Sequence, residues 1–192
     1  AFSQTSNIFE PIDVFDLEYV SNPQISPSGD KVLYQRNFND IMTDQSFSNI
    51  WLIDYDGNNN RPITTGNFKD NSPKWSNQGD KFLFKSNREG KSQIFLFDLN
   101  NNSIQKLTNF QYSIESIQWS PNDKYILFSS FIDSERDTLI EMPDKPKGAK
   151  WNDPPVEISD LNYRYDSSGF RKPCEVQFFT IPVNGGTPRQ IS

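Results

Sequence analysis

The chain has 192 residues, a net charge of −6, a mean hydropathy of −0.73 and 14% aromatic residues. Large aromatic anchors within a polar composition exclude a disordered chain, and an acidic balance without clustered Lys and Arg excludes a nucleic-acid binder. The sequence contains no histidine and one cysteine, Cys174, so it holds neither a Ser-His-Asp nor a Cys-His centre and closes no internal disulfide; no metal and no cofactor is expected.

In chain order, residues 1–9 read as a leader, and Asp13 to Val20 as a short helix capped by Asp13, so that residues 1–20 precede the main architecture. Ala1-Phe2-Ser3-Gln4 fits the scar of a removed signal peptide and an arbitrary boundary equally well. A phrase then recurs three times without a gap. It reads Ile25-Ser26-Pro27-Ser28-Gly29-Asp30-Lys31-Val32-Leu33-Tyr34, then Trp75-Ser76-Asn77-Gln78-Gly79-Asp80-Lys81-Phe82-Leu83-Phe84, then Trp119-Ser120-Pro121-Asn122-Asp123-Lys124-Tyr125-Ile126-Leu127-Phe128, with spacings of 50 and 44 residues. The opening of each copy is a turn, in which proline presets φ and a later residue tolerates φ > 0. The run that follows is too continuously apolar for a strand with one wet face, so both of its faces are expected to be covered.

Each phrase has a second half. Ile50-Trp51-Leu52-Ile53 leads to Ile63-Thr64, Ile94-Phe95-Leu96-Phe97 leads to Leu107-Thr108, and Phe178-Phe179-Thr180-Ile181 leads to Ile191-Ser192, always 13 residues from the first apolar position to the last. A hairpin fits all three. The unit thus has about four antiparallel strands, and stacking such units radially makes a propeller. The fold class read here is all-β, a partial β-propeller of about three four-stranded blades: blade one at 21–65, blade two at 66–108, and blade three at 109–192. A β-sandwich or meander with chance similarity is opposed by three copies in register. Blade three carries a long insertion, about 132–173, rich in proline and charge, which is expected to leave the sheet. The longest nearly apolar stretch, Tyr125 to Ile132, is far short of the roughly 20 residues that cross a bilayer, so no membrane insertion is expected.

Two motifs fail on inspection. Gly90-Lys91-Ser92 lacks the glycines that a phosphate loop (position 85 is Lys85) or a nucleophile elbow (position 94 is Ile94) requires. Asp54-Tyr55-Asp56-Gly57-Asn58 opens like a calcium loop but has Asn59 and Thr65 where glycine and glutamate belong. The segment Tyr163 to Arg171 gathers two arginines, an acid and three aromatics. Tyr163, Arg164, Asp166 and Arg171 are the substrate-binding candidates, since the arginines can hold a carboxylate or a peptide carbonyl; their alternative role is to knit the insertion onto its blade.

Pro11 to Leu17, followed by Asn22 to Asp30, resembles the opening of the prolyl oligopeptidase family of serine peptidases, especially its acylaminoacyl-peptidase and dipeptidyl-peptidase branches. The repeats resemble the propeller repeats of that family, and Lys145-Pro146-Lys147 with Leu161-Asn162-Tyr163-Arg164-Tyr165-Asp166-Ser167-Ser168-Gly169-Phe170 is similar to a stretch its members carry in an early blade, with Asp166-Ser167 where relatives often have Asp-Gly. The resemblance implies that this chain corresponds to the first blades of a propeller that caps an α/β-hydrolase domain and admits short peptides. The hydrolase domain of the parent and short peptides are the implied partners, the implied compartment is secreted or periplasmic, and the chain alone is expected to be inactive. Its open blade edges are expected to promote self-association. Non-enzymatic Tol-type envelope propellers, which act as protein-binding scaffolds, use similar blades and form the alternative.

Overall fold

The structure is a computed structural model and describes residues 9–134, 143–152, 158, 161, 163–166, 169–170 and 174–192. It divides into two compact units, Ala1–Phe131 with Gln177–Ser192, and Ile132–Val176. A 3-10 helix, Pro11–Asp16, comes first, with Glu10 at its N-cap. Asp13 sits inside it, where its carboxylate accepts the Glu10 N–H at 2.8 Å. The helix is therefore shorter and earlier than the Asp13 to Val20 reading: proline in its first turn and i→i+3 bonding keep it short, and Tyr19 already belongs to a strand.

The first sheet contains β1 (Tyr19–Ile25), β2 (Lys31–Asp40), β3 (Gln45–Asp54) and β4 (Arg61–Pro62). The second contains β5 (Asn71–Trp75), β6 (Lys81–Ser86), β7 (Gln93–Asp98) and β8 (Ser103–Lys106). The third begins with β9 (Ile114–Trp119) and β10 (Tyr125–Asp133). After β11 (Arg164–Tyr165) and β12 (Gly169–Phe170), which form a separate two-stranded hairpin, it is completed by β13 (Cys174–Pro182) and β14 (Arg189–Gln190). The three four-stranded sheets do not close on themselves, and the all-β partial propeller is borne out. Within each sheet the strands follow chain order and run antiparallel.

The recurring phrase has a physical explanation in side-chain and backbone bonds that repeat with it. In each copy the serine N–H donates to a backbone carbonyl five residues on (Ser26 to Lys31, Ser76 to Lys81, Ser120 to Tyr125), at 2.8–2.9 Å. The same residue's carbonyl accepts the N–H of Gly29, Gly79 or Asp123 at 2.9–3.1 Å. Those three residues take φ of +77°, +76° and +54°, the left-handed turn that glycine and aspartate tolerate. The serine hydroxyl accepts the N–H of Lys31, Lys81 or Tyr125 at 2.9–3.2 Å and donates to Asp30, Asp80 or Asn122 at 2.8–3.0 Å. The Asp30 carboxyl, held by Ser28, Lys31 and Ser26, is pushed well below the usual carboxylate range. At the far end of each blade the final hydroxyl closes the sheet: Thr64, Thr108 and Ser192 accept the N–H of Ile50, Ile94 and Phe178, each at 2.9 Å.

Blade faces alternate in a second regular way. Leu33, Ile50 and Leu52 on one face of the first sheet pack against Phe82, Phe84, Phe95 and Phe97 on the facing side of the second, with Trp75 against the same cluster. The other face of the second sheet buries Leu83, Ile94 and Leu96 in turn, and Phe82, Leu83 and Phe84 are all at 0% exposure, as a strand covered on both faces requires. We call the aliphatic side of a blade its trailing face and the aromatic side its leading face. In blade three the leading face buries Ile126, Phe128, Phe179 and Ile181, with Phe128 and Phe179 stacked at 5.3 Å. Successive blades are also bolted together by indole donors: Trp75 Nε1 donates to the Gln24 carbonyl and Trp119 Nε1 to the Lys74 carbonyl, both at 2.9 Å.

The two outer faces contrast with this. On the leading face of blade one, Ile25 is 70% exposed, Tyr34 stacks on Trp51 at 6.3 Å and the Arg36 guanidinium lies 4.9 Å over the Trp51 ring. On the trailing face of blade three, Phe178 is 42% exposed.

The turns yield a comparison of two glycines with the same backbone strain. A Cβ at Gly29 meets nothing within 4 Å, whereas one at Gly79 comes 3.3 Å from Pro27 Cδ of the preceding blade. Gly29→Ala should therefore destabilise by about 1 kcal/mol from its left-handed backbone, and Gly79→Ala by about 2 kcal/mol because a packed ring must also shift. Urea unfolding of both variants checks this, and equal losses would refute the inter-blade contact.

Candidate functional site

Chain direction divides the sheets of the first unit into two ends. At one lie the short turns that follow β3, β7 and β13 and those that follow β1, β5 and β9, the latter fixed by the serine bonds described above. At the other lie the starts of β1, β5 and β9, the linkers between blades, and the loops leaving β2 and β6. Loops on a rigid frame are where binding residues collect.

Blade two carries the strongest polar feature of that loop end. Asp70, in the linker before β5, is fully buried. Its Oδ2 accepts from Arg88 Nη2 at 2.9 Å, and Arg88 Nε donates to Ser86 Oγ at 3.0 Å. The guanidinium lies 4.9 Å over the Phe95 ring and 5.5 Å over those of Phe84 and Phe68. Asp70 Oδ1 is buried without a hydrogen-bond partner. The linker is stitched to blade one by Ser48, whose N–H donates to the Phe68 carbonyl, whose carbonyl accepts the Asp70 N–H and whose hydroxyl donates to the Asp70 carbonyl, each at 2.9 Å. The Arg88–Asp70 pair thus ties the linker from blade one to the β6–β7 loop. A net-neutral pair held on three aromatic rings fixes loop geometry.

Around it, Lys91 Nζ donates to the Gln111 carbonyl at 2.7 Å. The buried amide of Gln93 bonds the Phe110 N–H at 2.7 Å and its carbonyl at 3.0 Å. Burial lowers the Lys85 ammonium below its ordinary pKa, with Glu115 acting in the opposite sense. At the turn end of blade one a cleft of about 490 Å3 is lined by Lys31, Leu52, Asp54, Asn59, Asn60 and Arg61. Of its two cations, Lys31 faces the acid, Lys31 Nζ to Asp54 Oδ1 at 3.6 Å.

The residues singled out from sequence lie in the second unit. Arg164 pairs with Phe170 across the β11–β12 hairpin, and the exposed rings of Tyr163 and Phe170 stack at 6.2 Å and 28°. Arg164 and Asp166 are exposed, and Arg171 lies outside the described residues. The hairpin brings Tyr163, Arg164 and Asp166 together on one short element. Sequence reasoning passed over Asp70 and Arg88, although the repeats carry a signal: the positions aligned with Asp70 are Val20 and Ile114, and those aligned with Arg88 are Phe38 and Ile132. A charge at two apolar repeat positions of a single blade marks a pair special to that blade.

Residues 17–145 match a family model described as the TolB beta propeller domain. The chain is similar to dipeptidyl-peptidase 5 of Porphyromonas gingivalis, 33% identical over 165 residues, covering 86% of this chain and 23% of that protein. It is also similar to the uncharacterized peptidase YuxL of Bacillus subtilis, 25% identical over 181 residues, covering 94% of this chain and 27% of that protein. The chain therefore spans about a quarter of the length of these curated relatives. Among solved structures the Pyrococcus horikoshii acylaminoacyl peptidase superposes with a TM-score of 0.66 at 19% identity, covering 92% of this chain and 25% of that one, a likeness of fold. The resemblance to peptidase propellers read from the repeats and the insertion is borne out.

Arg88→Met should strand the buried Asp70 carboxylate and destabilise the chain by about 3–5 kcal/mol. Arg88→Met combined with Asp70→Leu should recover most of that loss. Thermal unfolding of the two variants decides it: a double variant no more stable than the single would mean that the pair is not coupled.

Proposed function

Since the chain belongs to the TolB β-propeller domain family, we propose that it serves as the non-catalytic, substrate-gating propeller of a serine peptidase that hydrolyses short peptides. In this reading the acyl transfer takes place on a serine of a partner hydrolase domain outside the chain. The observation that carries it is the 33% identity to dipeptidyl-peptidase 5 over 86% of the chain. Tyr163, Arg164 and Asp166 supply contacts to the peptide: the aromatic pair offers a flat apolar surface and the guanidinium a donor for a carbonyl or carboxylate.

Chromogenic dipeptidyl and acyl-aminoacyl substrates, offered to this chain and to the uninterrupted product of its parent reading frame, should be cleaved only by the longer product. In that product Arg164→Ala should raise KM about tenfold with kcat unchanged, the loss expected for one charge-assisted hydrogen bond. An unchanged KM removes Arg164 from the substrate path. The family description favours a second reading, a non-enzymatic envelope propeller that binds proteins as a scaffold, and cleavage by neither product would move the assignment there.

The isolated chain exposes Ile25 on the leading face of blade one and Phe178 on the trailing face of blade three, and apolar faces of this kind drive association. Light scattering should show growth in mass with concentration. A clean monomer over a wide concentration range would overturn this part of the proposal.

A further inference from the structure

Blade one departs from the other two at its last turn, where Asn59, Asn60 and Arg61 enter the cleft of about 490 Å3 at the turn end. The aligned residues are Ser103, Ile104 and Gln105 in blade two and Thr187, Pro188 and Arg189 in blade three. Of the three blades, blade one alone places two carboxamides beside a guanidinium.

The polar groups of the cleft differ in what they have left to offer. Asp54 is engaged on both oxygens: Oδ1 lies 3.6 Å from Lys31 Nζ, and Oδ2 accepts Asn59 Nδ2 at 2.6 Å. An ionised carboxylate only accepts, so Asn59 must give it the amide nitrogen and keeps Oδ1 as an acceptor. Asn60 is fixed in the opposite sense. The Tyr34 hydroxyl donates to its Oδ1 at 2.8 Å, which leaves Nδ2 as a donor, and Tyr34 is itself stacked on Trp51 at 6.3 Å. Arg61 is exposed and has no hydrogen bond or ion pair with any described residue, whereas Arg36 and Arg88 are each held by an acid, Glu18 and Asp70.

Three consecutive residues thus present an acceptor, a donor and a cation. In an extended peptide the N–H and C=O of one residue point to the same side, so Asn59 Oδ1 and Asn60 Nδ2 match the two backbone groups of a single residue. Arg61 then calls for an anion next to that residue. The charges select which anion: two cations, Lys31 and Arg61, against one acid, Asp54, leave the lining one positive charge in excess, the complement of one carboxylate. A phosphate offers no N–H to Asn59 Oδ1, and its second charge would lie uncompensated beside Asp54.

We propose that this cleft binds the C-terminal end of a peptide, with the terminal carboxylate on Arg61 and the N–H and C=O of the penultimate residue on Asn59 and Asn60. The guanidinium supplies the charge-assisted contact, and Tyr34 acts as a positioning residue that holds Asn60 donor-side out. The assignment is independent of the peptidase reading, since it uses blade one alone.

The test titrates the full chain with acetyl-alanyl-alanine, its C-terminal amide and acetate, while heteronuclear NMR follows the side-chain signals of Asn59, Asn60 and Arg61. The free acid should move all three signals with a Kd of about 1 mM, as one charge-assisted and two neutral hydrogen bonds support. The amide, which loses the ionic contact, and acetate, which uses neither carboxamide, should each bind about tenfold more weakly. Arg61→Gln installs the residue blade two carries at that position; it should abolish the preference for acid over amide and leave the melting temperature unchanged. Tyr34→Phe should weaken acid and amide alike by about threefold and keep the preference, as expected for one lost neutral hydrogen bond. Equal binding of acid and amide, acetate as tight as the peptide, shifts confined to other residues, or an acid preference that survives Arg61→Gln would each overturn the proposal.

Discussion

A four-stranded blade cannot bury both of its own faces, and everything else in this chain follows from that constraint. Each sheet hides one face only by lending it to a neighbour, so blade two, covered on both sides, is apolar through Phe82, Leu83 and Phe84 with no alternation at all. The neighbour relation is directional. An aliphatic trailing face meets an aromatic leading face, and an indole N–H reaches back to a backbone carbonyl on the first strand of the preceding blade. Trp75 and Trp119 therefore contribute both burial and a hydrogen bond at the same seam, which accounts for tryptophan rather than phenylalanine at that position.

Much of this could be read from the residues. The Ser-x-x-Gly/Asp pattern of the phrase is the turn itself: serine bonds on both its backbone and its hydroxyl, and Gly29, Gly79 or Asp123 supplies the positive φ. The constant spacing of the second half reflects a hydroxyl that must reach back to cap a particular N–H. The near-continuous apolar run of blade two announces burial on both faces. The leader was less legible, because the Asp13 to Val20 stretch has a helical look that a first-turn proline and the demands of β1 override. The match between Pro27 and Gly79, or between Asn77 and Asp123, cannot be seen along the chain, since each residue is an ordinary turn former alone and acquires meaning only beside a turn one repeat away.

The loop end follows the same logic in reverse. Repeats specify what all blades share, and function resides in what one blade does alone. Asp70 and Arg88 break the repeat at two positions that are apolar elsewhere, and they meet in space. The long excursion between β10 and β13 is the other break, and it carries the exposed Tyr163–Phe170 stack. Turns that repeat at one end and loops that differ from blade to blade at the other give the first unit a repeated frame and an individual rim in a single set of sheets.

The hydroxyl that closes each blade has a further consequence, for the order of events during synthesis. Thr64 and Thr108 each follow the amide they cap by 14 residues, and the indole bolts span 51 and 45 residues, so these contacts reach back no further than about one repeat. As the polypeptide leaves the ribosome, blade one already possesses its final hydroxyl before Trp75 emerges to find the Gln24 carbonyl waiting. The chain is thus arranged to grow like a wall laid course by course, each layer offering the next a finished surface, with short loop closures in place of one distant and entropically expensive search.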